Sequence, residues 1–223
     1  MKRIVLINLF IVLFFNAAIA APRYISLAPS TTEILFALGL DQEIVGVSSY
    51  CNYPPEVKNK TKVGDFSSAN IERIISLKPD YIFCTGLEQA PVVAQLRQLN
   101  FNVYVADPSN MNELLSSIRE IGKVTNKLNE ALFLTKKMED EVEAVSSKVK
   151  LIPQKDKVKV FIEIWHEPLM TAARGSFVDE LISLAGRINI AHDLIRPYCN
   201  FSADKGMSLN PKCRIMSYMD KES

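Results

Sequence analysis

The sequence predicts an α/β protein of two Rossmann-like lobes with parallel sheets, joined by one long helix, with the second lobe incomplete. Three observations carry that expectation. Short β-branched runs alternate with helical patterns, as in parallel βα units. A stretch at 125–148 keeps helical periodicity without a glycine or proline. Finally, one segment is written twice: Phe66-Ser67 leading through Glu72 to Pro79, and Phe201-Ser202 leading through Asp204 to Pro211. In each copy an acidic residue sits seven positions before a proline, with Ser-Leu just ahead of the proline's neighbour. Duplication implies two like-folded lobes, and paired lobes around a cleft are an architecture that closes on a ligand.

Taken in order, residues 1–20 read as a signal peptide. Lys2 and Arg3 give a positive start, Ile4 to Phe15 is nearly unbroken apolar, and Ala18-Ile19-Ala20 offers the small-x-small pattern of a cleavage site. The apolar run is short of the roughly 20 residues of a membrane span. With no cysteine at the junction to accept a lipid, the expected location is the periplasm or an equivalent exported space.

The first lobe is placed at 21–122. Arg23 to Leu27 predicts a strand, and Ser30 with Glu33 predicts a capping box opening a helix that Gly39 ends. Ile44 to Val47 is a second strand, and Pro54 and Pro55 exclude helix and central strand after it. Asn70 caps a short helix through Leu77, Tyr81 to Cys84 is a strand, and Pro91 to Leu99 a helix. Val103 to Ala106 and Met111 to Ile121 complete the lobe as strand and helix. The connecting segment, 123–150, is dominated by the amphipathic stretch from Thr125 to Lys148. A helix of about 24 residues rises roughly 36 Å, enough to run the length of a lobe.

The second lobe, 151–223, begins with a strand at Lys157 to Ile164, followed by Trp165 to Pro168, a helix at Ser176 to Ala185 and an extended piece at Ile188 to Ile190. Its end departs from the repeat. Gly206 occupies a helix position at a cost of about 1 kcal/mol, Lys212 replaces Asp80, and Arg214 falls where an apolar strand residue should be buried. The expectation is a shortened lobe with an unpaired sheet edge.

Composition removes several functions. With 26 basic and 25 acidic side chains the chain lacks the excess positive charge of a nucleic-acid binder. Its two histidines, His166 and His192, stand without a nucleophile signature, and the glycines form no phosphate-cradling loop, so no catalytic residue is expected. Cys51, Cys84, Cys199 and Cys213 lack zinc-site spacing, and they permit three disulfide connectivities. Cys84 reads equally well as a small buried residue ending a strand.

The residues resemble the periplasmic cobalamin-binding proteins of ABC importers, within a larger group that also carries siderophores and haem. The likeness runs through Arg23 to Ile34, Val45 to Tyr50, Tyr53-Pro54-Pro55, Val63-Gly64, Ile71 to Arg73, Leu77 to Asp80, Glu163 to Trp165, Pro168-Leu169, Gly175 to Phe177 and Phe201-Ser202. It implies a monomer, without metal or cofactor, that holds cobalamin in the cleft as a transported ligand. A large apolar macrocycle with polar amide edges calls for aromatic faces and a few rim donors. Tyr50 and Phe66 on the first lobe and Trp165 on the second are the aromatic candidates, on loops at strand ends where an open parallel sheet places its ligands. By resemblance Tyr50 is a corrin-contacting tyrosine, Phe66 stands where relatives often carry tryptophan, and Thr85 replaces another tryptophan. Gly86, His166 and Met170 complete the expected set. The resemblance also implies that Glu72 and Asp204 each offer a carboxylate to an arginine pocket of the membrane permease. Three alternatives stay open: a haem carrier with Tyr50 or His166 as axial ligand, a ferric-siderophore binder, and a truncated relative that no longer functions.

Overall fold

The computed structural model describes residues 21–217. The predicted signal peptide lies outside the described residues.

The first lobe is built on β1 (Tyr24–Ser26), β2 (Ile44–Val47), β3 (Tyr81–Cys84) and β4 (Val103–Val105), in the order β2-β1-β3-β4 and parallel throughout. The crossovers are α1 (Pro29–Ala37), α2 (Ile71–Leu77) and α3 (Ala90–Gln98), with α4 (Met111–Val124) following β4. Strands buried on both sides need apolar residues at successive positions, which is what Tyr24 and Ile25, and Ile82, Phe83 and Cys84, supply. Leu35, Leu38, Phe83, Ile118 and Ile121 form one cluster and Ile25, Ile74, Ile82 and Leu96 another.

The start of α1 departs from the expected capping box. Pro29 occupies the first turn, where its missing N–H costs nothing, and Ala28 stands at the cap with no side-chain bond. The hydroxyls of Thr31 and Thr32 instead donate to Ala28 O at 3.1 and 3.0 Å. The helix predicted from Thr125 also starts later. Helix α4 runs on to Val124, Asn126 turns left-handed at φ 58°, and the connecting helix α5 spans Leu128–Val149.

Beyond α5, β5 (Lys159–Glu163), β8 (Ile188–Asn189) and β10 (Cys213–Met216) form a second parallel sheet in the order β10-β5-β8. Helix α6 (Phe177–Leu184) precedes β8 and α7 (Ala203–Ser208) precedes β10. This sheet repeats β3-β1-β2 of the first lobe, with no counterpart of β4 among the described residues. A small antiparallel sheet, β6 (Trp165–His166), β7 (Leu169–Ala172) and β9 (Tyr198–Asn200), was not anticipated.

The duplicated segment is duplicated in space. Asn70 caps α2 by accepting from Arg73 N at 2.8 Å, and Ser202 caps α7 by accepting from Lys205 N at 3.4 Å. Each helix then ends in a left-handed residue directly before the proline, Lys78 at φ 46° and Asn210 at φ 50°, and feeds a parallel strand.

One expectation about the second copy is corrected. Arg214 is not buried: its guanidinium, 59% exposed, donates from Nε at 2.8 Å to Glu163, whose carboxylate is only 2% exposed. A buried charge thereby finds its counter-ion. Gly206 is buried against Phe201, whose ring carbon would lie 3.1 Å from an added Cβ, so the small residue fits that packing.

Candidate functional site

The C-terminal ends of β1, β2 and β3 carry the first-lobe candidates. Tyr50 follows β2, Phe66 lies in the loop before α2, and their rings meet edge to face at 6.5 Å and 77°. That pairing is held from below. Ser49 N donates to Gly64 O at 2.8 Å, and the Ser49 hydroxyl donates to the Asp65 carboxylate. Gly64 sits at φ +113°, and a Cβ there would fall 2.5 Å from Ser68 O, so only glycine lets this loop fold back.

Thr85 and Gly86 line a hollow of about 370 Å³ with Arg97 and Asp107. Gly86 contributes by lacking a side chain: a Cβ would lie 1.8 Å from an Asp107 carboxylate oxygen, so Asp107 rests directly over the Gly86 backbone. Gln89 is a residue that sequence reasoning missed. It is completely buried, and its amide joins Leu27 O, Phe66 O and Thr85 N. A glutamine at a helix start gives no sign in the sequence of what it will reach.

On the second lobe, Trp165, His166 and Met170 share the small antiparallel sheet. Trp165 pairs with Met170 across the β6-β7 hairpin, and its ring lies 5.4 Å from that of His166. The indole is 45% exposed, and its N–H donates to Glu167 O at 2.8 Å. Tyr198 on β9 belongs to the same sheet. Its phenol pKa is pushed up first by burial and then by the Asp107 carboxylate of the first lobe. The Asp107 charge therefore bears on Tyr198 across the lobe boundary.

A second hollow, of about 460 Å³, opens on the other lobe and contains none of the predicted residues. Phe161, Leu169, Phe201, Met207 and Arg214 line it, between the second sheet and α7. The second hollow offers an apolar wall, and its single cation, Arg214, is already paired with Glu163.

Glu72 and Asp204 are both exposed and occupy the same place in their helices, two residues beyond the caps Asn70 and Ser202. Among the described residues no group of three or more His, Cys, Asp or Glu side chains could hold a metal ion. His192 instead pairs through Nδ1 with the buried Asp179 at 2.9 Å, and all four cysteines are free thiols.

Two α/β lobes bridged by one helix, with aromatic residues at strand ends on each, are the architecture of the solute-binding class. The chain belongs to the periplasmic binding protein family, which it matches over residues 25–222. It is 34% identical over 176 residues to the uncharacterized ABC transporter substrate-binding lipoprotein YvrC of Bacillus subtilis, covering 77% of this chain and 56% of that one. The chain thus spans little more than half of that relative's length. The solved vitamin B12 binding protein BtuF of Vibrio cholerae is 29% identical with a TM-score of 0.77, over 88% of this chain and 76% of that one. The heme binding protein HutB of Vibrio cholerae is 25% identical with a TM-score of 0.77, over 89% and 77%.

Proposed function

We propose that this chain is the extracytoplasmic solute-binding component of an ABC importer and captures cobalamin between its lobes, 21–122 and 151–223. The observation that carries the reading is an aromatic surface on each lobe, Tyr50 edge to face with Phe66 on one and the half-exposed Trp165 on the other. A corrin needs flat apolar contact with hydrogen-bonding groups at its amide rim, and Thr85, Asp107 and Tyr198 supply rim groups. Likeness to a vitamin B12 binding protein supports the same ligand. Glu72 and Asp204, exposed at matched helix positions, are the carboxylates offered to permease arginines. The protein works as a monomer after removal of residues 1–20.

The test is titration of cyanocobalamin and, separately, haemin into the purified chain, followed by absorbance. Saturable one-to-one uptake of cyanocobalamin, weakened at least about tenfold by Tyr50→Ala or Trp165→Ala, is expected, since one lost aromatic contact represents about 1.4 kcal/mol. Uptake of haemin alone, with a Soret shift abolished by His166→Ala, favours the haem reading instead. That second reading is supported by the imidazole beside Trp165 and by the likeness to a heme binding protein.

A further inference from the structure

Gln89 ends a short turn, Leu87–Gln89, and is completely buried. Its amide nitrogen donates to Leu27 O at 2.8 Å and to Phe66 O at 2.7 Å, while its oxygen accepts from Thr85 N at 2.9 Å. Those partners lie 62, 23 and 4 residues away in sequence. They belong to the exit of β1, the ring-bearing loop and the exit of β3. A planar group with two donors and an acceptor is used to near capacity, and neither a carboxylate nor an alkyl chain reproduces it. Buried carbonyls left without donors would be driven toward water, and the Phe66 loop would lose its tie to the β1 and β3 exits.

We infer that Gln89 is a positioning residue for the ligand-facing wall. It holds the Phe66 loop against the β1 and β3 exits, so that Tyr50 and Phe66 stand at their edge-to-face angle before any ligand arrives. The inference rests on the reading of those two rings as ligand-facing. Its consequence is kinetic as well as energetic: a wall ordered in advance is not ordered at the expense of binding.

The test uses the full chain carrying fluorotyrosine, with the Tyr50 signal assigned by Tyr50→Phe, and compares it with Gln89→Met. Without ligand, amide exchange at 64–70 and 85–87 should quicken at least about tenfold, the factor that loss of one net hydrogen bond represents. The Tyr50 fluorine signal should broaden or split. Exchange in the β10-β5-β8 sheet should stay as it was. With cyanocobalamin, Kd should rise about tenfold, largely through slower association. A role confined to stability would lower Tm and quicken exchange across the whole lobe, with the association rate of the folded protein unchanged, and that result overturns the inference. So does unaltered exchange at 64–70. Should Gln89→Met not fold, Gln89→Asn, one methylene shorter, takes its place with the same readings. Failure of the wild-type chain to take up cyanocobalamin sinks the functional reading, while the exchange and fluorine results still decide what Gln89 does.

Discussion

Cys84 closes β3 beneath the loops that carry Thr85 and Gly86, and its chemistry follows from where it sits. Burial pushes its thiol up to about 12, with Arg97 only partly opposing the shift. The thiolate is the reactive form, so iodoacetamide at pH 8 should modify the exposed Cys213 and leave Cys84 untouched until the protein unfolds. The same shift governs alkaline stability. A group whose pKa is higher folded than unfolded holds its proton more tightly in the native state. Its contribution is complete below the ordinary value of 9.0 and is lost as pH climbs toward about 12. Burial raises Tyr24 and Tyr104 as well, so they act in the same direction. Urea midpoints should fall steadily above pH 9, and midpoints constant to pH 11 would contradict this account. Gly64 gives a second prediction at this scale. Alanine there must hold φ +113° while its Cβ meets Ser68 O, so Gly64→Ala should cost about 1–3 kcal/mol by denaturant titration and loosen the Phe66 loop.

Among the elements, α2 is short enough that its cap matters. Replacing Asn70 by alanine removes the acceptor for Arg73 N and should cost about 1 kcal/mol. It should also fray the turn that carries Glu72, which circular dichroism and exchange at 71–74 would register. Periodicity made most elements legible: Ile44–Val47 and Tyr81–Cys84 form the strands that their β-branched and aromatic runs announce. What stayed hidden depended on contacts between distant segments. Ser30 with Glu33 satisfied the pattern of a capping box, yet Pro29 claims the first turn and the neighbouring hydroxyls find Ala28 O and the Cys51 sulfur instead. Asn126 broke a stretch whose apolar spacing ran on without interruption. The β6-β7-β9 sheet escaped notice because a two-residue strand such as Trp165–His166 has no room to show alternation. At the site, Tyr50 and Phe66 were visible as aromatics beside loop residues. Gln89 was not, because its partners converge only after two crossovers, α1 and α2, fold.

Across the whole molecule the two lobes are unequal, and the inequality should decide how the protein opens. In the first, β3 is flanked on both sides by strands and its Ile82, Phe83 and Cys84 are fully enclosed. In the second, β10 pairs only with β5 among the described residues, all four of its residues are exposed, and Ile215 and Met216 are 42% and 64% accessible. Its apolar clusters are small, one around Val160, Ile162 and Ile182 and one around Phe161 and Phe201. A unit with less buried surface opens at lower free energy. Trypsin under native conditions should therefore cut first within 205–214, at Lys205, Lys212 or Arg214, well before any site in 21–124. Equal resistance of both regions would refute it. The lobes are nevertheless joined at the back, where the Glu180 carboxylate of α6 accepts the Met111 N–H, the first of α4, at 2.8 Å. Helix α5 packs against both α4 and α6, with Met138, Val142 and Val145 facing Leu181 and Leu184 across a shared groove. One first-lobe amide is thus protected by a second-lobe side chain, which makes it a reporter. When the second lobe opens, Met111 should lose its protection in step with Val160 and Ile162 rather than with the later residues of α4. Should Met111 instead exchange at the rate of Leu115 and Ile118, the lobes open independently and Glu180 does not couple them.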